Sequence, residues 1–86
     1  MSNDAHITLK FYGTSWCSDC SRSKRYLDRH QVAYTYVDVD EDREGIKIIE
    51  RLNHGIRVVP TIIFPDGSHL AEPSDEELAA KLAEFV

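Results

Sequence analysis

Two cysteines lie three positions apart in the segment Phe11-Tyr12-Gly13-Thr14-Ser15-Trp16-Cys17-Ser18-Asp19-Cys20. Residues 7–12, just upstream, alternate apolar and polar side chains, and this period of two predicts a β-strand. Downstream the alternation stops, and helical spacing appears at Ser23, Tyr26, Leu27 and His30. The segment therefore predicts a C-x-x-C pair at the junction between a strand and a helix, which begins at or just after Cys17 and runs to about residue 30.

Further elements follow the first helix. The patterns predict a strand at 32–39, a helix marked by Ile46, Ile49 and Leu52, strands at 57–64 and 69–71, and a last helix marked by Leu78, Leu82 and Phe85. Gly55 is predicted as the left-handed C′ residue of the second helix. A hairpin turn at 65–68 and a capping box at 74–77 complete the pattern. The predicted order is β-α-β-α-β-β-α, an α/β sandwich with the first two strands parallel and the last two antiparallel.

Composition narrows the class of protein. A chain of 86 residues and 9.8 kDa predicts one domain over residues 1–86. The net charge of −5 argues against nucleic acid or an anionic membrane as partner. No apolar run approaches the roughly 20 residues that span a bilayer. Residues 1–6 are polar and lack the apolar core of a signal peptide, so we expect a cytoplasmic protein.

The cysteine spacing predicts thiol redox chemistry. Cys17 would lie at a helix N-terminus, where unpaired amides and the helix dipole favour an anion, and the thiolate is the reactive form. Cys20, one turn further, could resolve a mixed disulfide formed on Cys17. Asp19 places a like charge beside that thiolate, whereas Arg22 and Lys24 oppose it.

Two structural alternatives compete with the redox interpretation. A static disulfide is disfavoured in a reducing compartment. Half of a zinc site is disfavoured because zinc takes four ligands, and the histidines show no paired ligand spacing; they are His6, His30, His54 and His69. We therefore expect no metal site.

From about Ile7 to Phe85 the sequence resembles the glutaredoxin family of the thioredoxin fold. The resemblance is carried by residues 11–20, by Val58-Val59-Pro60-Thr61 and by Pro65-Asp66-Gly67-Ser68. It implies a thioredoxin-fold domain with a four-stranded mixed sheet. It also implies that Cys17 is the nucleophile and Cys20 the resolving thiol. Pro60 is expected to be a cis-proline whose loop packs against the cysteines.

The same resemblance suggests how a substrate binds. The Val59 backbone would pair with the peptide-like part of a substrate beside Cys17. Trp16 would form part of the rim around the nucleophile, with simple packing as the alternative. Ser74 and Asp75, at the start of the last helix, would bind the small thiol. For Ser74 the alternative is a plain N-cap.

Two differences from the usual glutaredoxin pattern affect which small thiol the protein is expected to use. Glutathione-using glutaredoxins usually carry a lysine where this chain has Thr14, and Gly-Gly with a nearby Asp where it has Ala71-Glu72-Pro73-Ser74-Asp75. The Thr-x-Trp-Cys and Glu-Pro-Ser patterns look more like those of mycoredoxins, relatives that reduce mixed disulfides of mycothiol. Mycothiol is therefore the favoured co-substrate, with glutathione or another thiol as alternatives.

The predicted activity is thiol–disulfide oxidoreduction on protein disulfides or protein–small-thiol mixed disulfides, without a bound cofactor. The partners would be these substrates, the small thiol and its NADPH-dependent reductase, and the protein is expected to be a monomer. The alternative is a redoxin that thioredoxin reductase reduces and that donates electrons to ribonucleotide reductase. A third hypothesis, an iron–sulfur cluster module, is disfavoured by the Ser18-Asp19-Cys20 sequence.

Overall fold

The computed structural model describes residues 7–85, so the expectations for residues 1–6 lie outside it. In chain order the elements are β1 (Thr8–Gly13), α1 (Ser18–Arg29), β2 (Ala33–Asp38), α2 (Arg43–Leu52), β3 (Thr61–Ile63), β4 (His69–Ala71), α3 (Asp75–Leu82) and a 3-10 turn (Ala83–Phe85). The predicted order of strands and helices is confirmed.

The four strands form one mixed sheet in the order β2-β1-β3-β4. β1 is parallel to β2, with Phe11 opposite Tyr36, and antiparallel to β3, with Phe11 opposite Ile62. β3 and β4 pair antiparallel across the predicted turn at 65–68. Because β1 is central and leads directly to Cys17, the sheet fixes where the cysteines emerge.

The predicted strand at 57–64 is too long, since β3 begins only at Thr61. Pro60 has no N–H to give to a strand neighbour. The Val58 carbonyl accepts a hydrogen bond from the Thr61 hydroxyl at 2.7 Å. Residues 57–60 therefore form a loop that leads into the sheet.

Gly55 is not the C′ residue of α2, because the helix ends at Leu52 and the C′ position falls on His54. Asn53 is the C-cap, and the following residue, His54, has φ 58°. Gly55 comes next with φ 87°, and its N–H donates to the Glu50 carbonyl at 2.6 Å. The two left-handed residues together terminate α2 and direct the chain toward the 57–60 loop.

Both faces of the sheet are packed. One face carries Leu9 and Phe11 against Leu27 of α1 and Leu78 of α3, all fully buried. On the other face, Tyr12 packs with Val39, which follows β2, and with Ile49 of α2. Cys17 and Cys20 belong to the first of these clusters, so α1 is held by the core at the turn that carries the cysteines.

Leu27→Ala should destabilise the protein by about 2–5 kcal/mol, because it leaves a cavity in a fully buried cluster two turns from the cysteines. Urea unfolding followed by circular dichroism measures the change. Arg25→Ala, at an exposed position of the same helix, is the matched control and should shift the unfolding free energy by less than about 0.5 kcal/mol. Equal midpoints for the two variants would contradict the packing described for α1.

Candidate active site

Cys17 is the N-cap of α1. Its backbone is extended (φ −86°, ψ 117°), and its sulfur accepts a hydrogen bond from the Cys20 N–H at 3.2 Å. The sulfur thus occupies the place that a Ser or Asp oxygen usually takes at a helix start. At that position the positive end of the helix dipole and the Cys20 amide both face Cys17 Sγ.

The loop before β3 lies against the same sulfur. The Val59–Pro60 peptide bond is cis, as the resemblance to glutaredoxins implies. Cys17 Sγ donates to the Val59 carbonyl at 3.9 Å, across 42 residues of sequence. The Pro60 carbonyl in turn accepts the Glu72 N–H at 2.8 Å, which ties the chain before α3 to this loop. Three separate segments therefore meet at Cys17.

The two thiols differ sharply in environment. Both are free, but Cys20 is 0% exposed whereas Cys17 is 9% exposed and borders a groove. Burial, followed by the hydrogen bond with Cys17, raises the pKa of the Cys20 thiol to about 12. A backbone hydrogen bond from Thr14 and the charge of Lys24 act in the opposite direction. Cys20 consequently keeps its proton at neutral pH.

Gly13, the last residue of β1, allows Cys20 to approach the sheet. A Cβ at this position would lie 2.8 Å from Cys20 Sγ and 3.1 Å from a ring carbon of Phe11. Neither atom is the end of a long flexible side chain. The absence of a side chain at residue 13 is therefore a packing requirement of the cysteine pair.

The groove in front of Cys17 has a volume of about 470 Å³. Trp16, Val59 and Glu72 line it together with Ile56 and Arg57. Trp16 is 71% exposed, and its indole Nε1–H donates to Asp40 at 2.7 Å. The bond holds the ring at the rim, where the sequence places it, and the exposure argues against simple packing.

Ser74 and Asp75 lie outside this groove. They line a second one, of about 400 Å³, at the start of α3. The Ser74 hydroxyl accepts the Glu77 N–H at 3.1 Å and the Glu77 carboxylate accepts the Ser74 N–H at 2.8 Å, which completes the predicted capping box. The plain N-cap alternative for Ser74 thus has direct support, and thiol binding by Ser74 and Asp75 stays a prediction.

The cations expected to oppose Asp19 make their closest contacts with other groups. Arg22 donates to Asp75 at 2.6 Å and to the Pro73 carbonyl at 2.7 Å, whereas Asp19 lies 3.8 Å away. Lys24 places its ammonium 4.1 Å from the centre of the Tyr36 ring. Arg22 therefore fastens α1 to the start of α3, a role that helical spacing alone could not reveal.

Sequence reasoning missed Ile56, Arg57 and Glu72 as groove residues. Ile56 is 61% exposed, although its neighbours in sequence gave no sign of a surface site. Glu72 has φ 49°, a left-handed conformation that is unusual for a residue with a side chain. The one sequence signal for Glu72 as a groove residue was its position, because it lies in a segment where glutathione-using glutaredoxins usually have glycine.

Within residues 7–85, no helix is long and apolar enough to cross a membrane. In the same part of the chain, no three His, Cys, Asp or Glu side chains are grouped so as to hold a metal ion.

A mixed sheet flanked by helices, with paired cysteines at a helix start beside a cis-proline, defines a thiol redox protein of the thioredoxin fold. A sequence model described as Glutaredoxin matches residues 9–70. The chain belongs to the glutaredoxin family.

Individual relatives agree with this assignment. A Mycobacterium tuberculosis protein that bears the name of a glutaredoxin is 42% identical over 78 residues, covering 91% of this chain and 93% of that protein. Mycoredoxin 1 of Corynebacterium glutamicum is 37% identical over 78 residues, covering 91% and 94%. The crystal structure of a Methanosarcina mazei glutaredoxin is similar with a TM-score of 0.76 and 28% identity, covering 87% of this chain and 77% of that one.

Gly13→Ala should cost about 1–3 kcal/mol of stability, because the new methyl group collides with Cys20 Sγ. In a Cys20→Ala background the same substitution should cost less than half as much, since the colliding sulfur is gone. Urea unfolding of the four proteins under reducing conditions gives the coupling energy. Additive effects would show that Gly13 is not required for the approach of Cys20.

Alkaline pH should destabilise the reduced protein through Cys20. Its folded pKa is raised from 9.0 to about 12, so above pH 9 the unfolded thiol ionises while the folded one keeps its proton. The contribution of the protonated Cys20 thiol to the free energy of unfolding is therefore intact below pH 9 and is lost as pH rises toward 12. Between pH 9 and 11 the unfolding free energy of wild type should fall more steeply than that of Cys20→Ala, by up to about 1.4 kcal/mol per pH unit, as measured by urea unfolding. Parallel curves for the two proteins would contradict a buried, protonated Cys20.

Proposed function

We propose that this glutaredoxin-family protein reduces mixed disulfides between proteins and a small thiol, with Cys17 as the nucleophile and Cys20 as the resolving thiol. The observation that carries the proposal is the contrast between the two sulfurs. Cys17 Sγ lies at the helix N-terminus, accepts an amide hydrogen bond and borders the groove. Cys20 is fully buried and holds its proton.

The exchange begins when the Cys17 thiolate attacks the small-thiol sulfur of a mixed disulfide. The disulfide bond between the small-thiol sulfur and the protein sulfur breaks, the protein leaves as a thiolate that takes up a proton, and the small thiol becomes joined to Cys17. A second small-thiol molecule can then attack the small-thiol sulfur of that adduct, which frees Cys17 and forms a small-thiol disulfide for the reductase to reduce. Alternatively Cys20 loses its proton and attacks Cys17 Sγ, the small thiol leaves and takes up a proton, and a reductase must supply two electrons to reopen the resulting Cys17–Cys20 disulfide.

The route through an external thiol is favoured in this proposal. Burial in the cluster that holds α1 on the sheet is the largest cause of the raised pKa of Cys20. Few Cys20 thiolates are then present at neutral pH to attack Cys17. The route through Cys20 would serve substrates that are protein disulfides, for which no small thiol is released nearby.

Substrate contacts are assigned from the groove. The Val59 carbonyl lies beside Cys17, and Trp16 forms the exposed rim. Pro60 positions Val59 and binds the Glu72 amide through its carbonyl. Ser74 and Asp75, in the neighbouring groove, would meet the far end of a longer thiol.

Mycothiol, regenerated by its NADPH-dependent reductase in the cytoplasm, is the proposed co-substrate. The support is the 37% identity with Mycoredoxin 1 over most of both chains. The buried side chain of Thr14 also offers no cation where glutathione-using relatives usually have lysine. Glutathione, or direct reduction by thioredoxin reductase, is the alternative.

A coupled assay of NADPH consumption on a small-thiol mixed disulfide tests the proposal. Mycothiol with its reductase, glutathione with its reductase, and thioredoxin reductase alone form three arms. We expect turnover in the mycothiol arm, less than a few per cent of it with Cys17→Ser, and largely retained turnover with Cys20→Ser.

Each result has a distinct meaning. Turnover only with thioredoxin reductase would replace the proposed co-substrate but keep the chemistry. Substantial turnover by Cys17→Ser would remove Cys17 as nucleophile. Loss of mycothiol-dependent turnover in Cys20→Ser, with the protein still folded, would show that resolution runs through Cys20.

A further inference from the structure

Glu72 lies between the two grooves and lines both of them. Its backbone is fixed, because its N–H donates to the Pro60 carbonyl at 2.8 Å and its φ of 49° is left-handed. The side chain of residue 72 therefore leaves the backbone from a set position beside the path that joins Cys17 to the start of α3. A small thiol attached to Cys17 and extending toward α3 must pass this side chain.

The charges along that path are mostly negative. The second groove is lined by Arg22 and by four carboxylate residues, Glu72, Asp75, Glu76 and Glu77. Arg22 is already engaged by Asp75 at 2.6 Å and by the Pro73 carbonyl at 2.7 Å. An incoming carboxylate would therefore have to displace these bonds to reach a cation there.

The groove in front of Cys17 contains little positive charge to offset these carboxylates. Its lining includes Arg57, whose guanidinium lies 3.9 Å from Glu50, and two carboxylates, Asp19 and Glu72. Asp19 is partly neutralised by Arg22 at 3.8 Å. Glu72 has no ion-pair partner within residues 7–85, so of the two carboxylates in this groove it is the one without a counter-charge.

We propose that Glu72 is a specificity-determining residue that favours mixed disulfides of uncharged or cationic small thiols and disfavours those of thiols bearing carboxylates. The inference rests on the proposed function, since it assumes that Cys17 forms an adduct with the small thiol. It adds the charge class of that thiol: a neutral or cationic molecule without a free carboxylate near its sulfur.

The size of the effect follows from Coulomb's law. Two unit charges about 6 Å apart in a solvent-filled groove interact by an energy that corresponds to roughly a three- to tenfold change in rate or affinity. Added salt screens such a pair, so the discrimination should narrow as ionic strength rises.

Single-turnover exchange on three probes tests the inference. One neutral peptide with a single cysteine is capped as a mixed disulfide with cysteamine, 2-mercaptoethanol or 3-mercaptopropionate. In each reaction the Cys17 thiolate forms a bond to the cap sulfur, the peptide thiolate leaves and takes up a proton, and no external electrons are needed. Mass spectrometry of the protein follows the Cys17–cap adduct, with Cys20→Ser as background to hold it.

Glu72→Gln should raise the rate of adduct formation with the anionic cap about three- to tenfold and lower the rate with the cationic cap. With the neutral cap its rate should stay within about twofold of the wild-type rate. Comparing variants on each probe removes the intrinsic reactivity of the caps. Glu76→Gln is the matched control, because Glu76 lines the second groove but not the groove of Cys17. It should change the anionic-to-neutral ratio by less than half as much.

The outcomes separate the two claims. Unchanged ratios in Glu72→Gln, or an equal change in Glu76→Gln, would overturn the role of Glu72 while leaving the exchange chemistry standing. Failure of every cap to form an adduct with Cys17 would overturn the proposed function and the inference with it. A discrimination that grows with salt would likewise exclude a charge effect.

Discussion

The hydrogen bond from the Cys20 N–H to Cys17 Sγ, at 3.2 Å, is the interaction on which the rest of the site depends. It makes the sulfur the cap of α1, so the start of the helix and the position of Cys17 Sγ are set together. It also sets the second cysteine one turn deeper, inside the cluster that holds α1 on the sheet. Local helix geometry and chemical asymmetry thus come from the same bond.

That arrangement needs support from segments far along the chain. Gly13 leaves room for Cys20 at the end of the central strand. The loop of Pro60 meets Cys17 through the Val59 carbonyl, and the Pro60 carbonyl holds Glu72. Arg22, two residues after Cys20, binds the chain around Pro73 and Asp75. The helix that carries the cysteines and the loops that border them are therefore fixed to one another rather than only packed on a common core.

The proposed function relies on the contrast between a sulfur that borders a groove and a sulfur that is fully buried. Cys17 meets the groove, whereas burial raises the pKa of Cys20 and keeps it a thiol. This difference between the two sulfurs follows from the fold and does not depend on which small thiol reacts. In the proposed role of Glu72, a side chain between the two grooves selects among small thiols by their charge and leaves the chemistry at Cys17 unaltered.

The sequence by itself determined the element order, the strand–helix junction at Cys17, the turn at 65–68 and the capping box at Ser74, because periodicity and caps act within a few residues. It misplaced the start of β3 and the C′ residue of α2. Only the tertiary structure decided that Arg22 binds Asp75, 53 positions away, and that Glu72 lies between the grooves. Such contacts depend on how the sheet and helices pack, and no local pattern of residues records that packing.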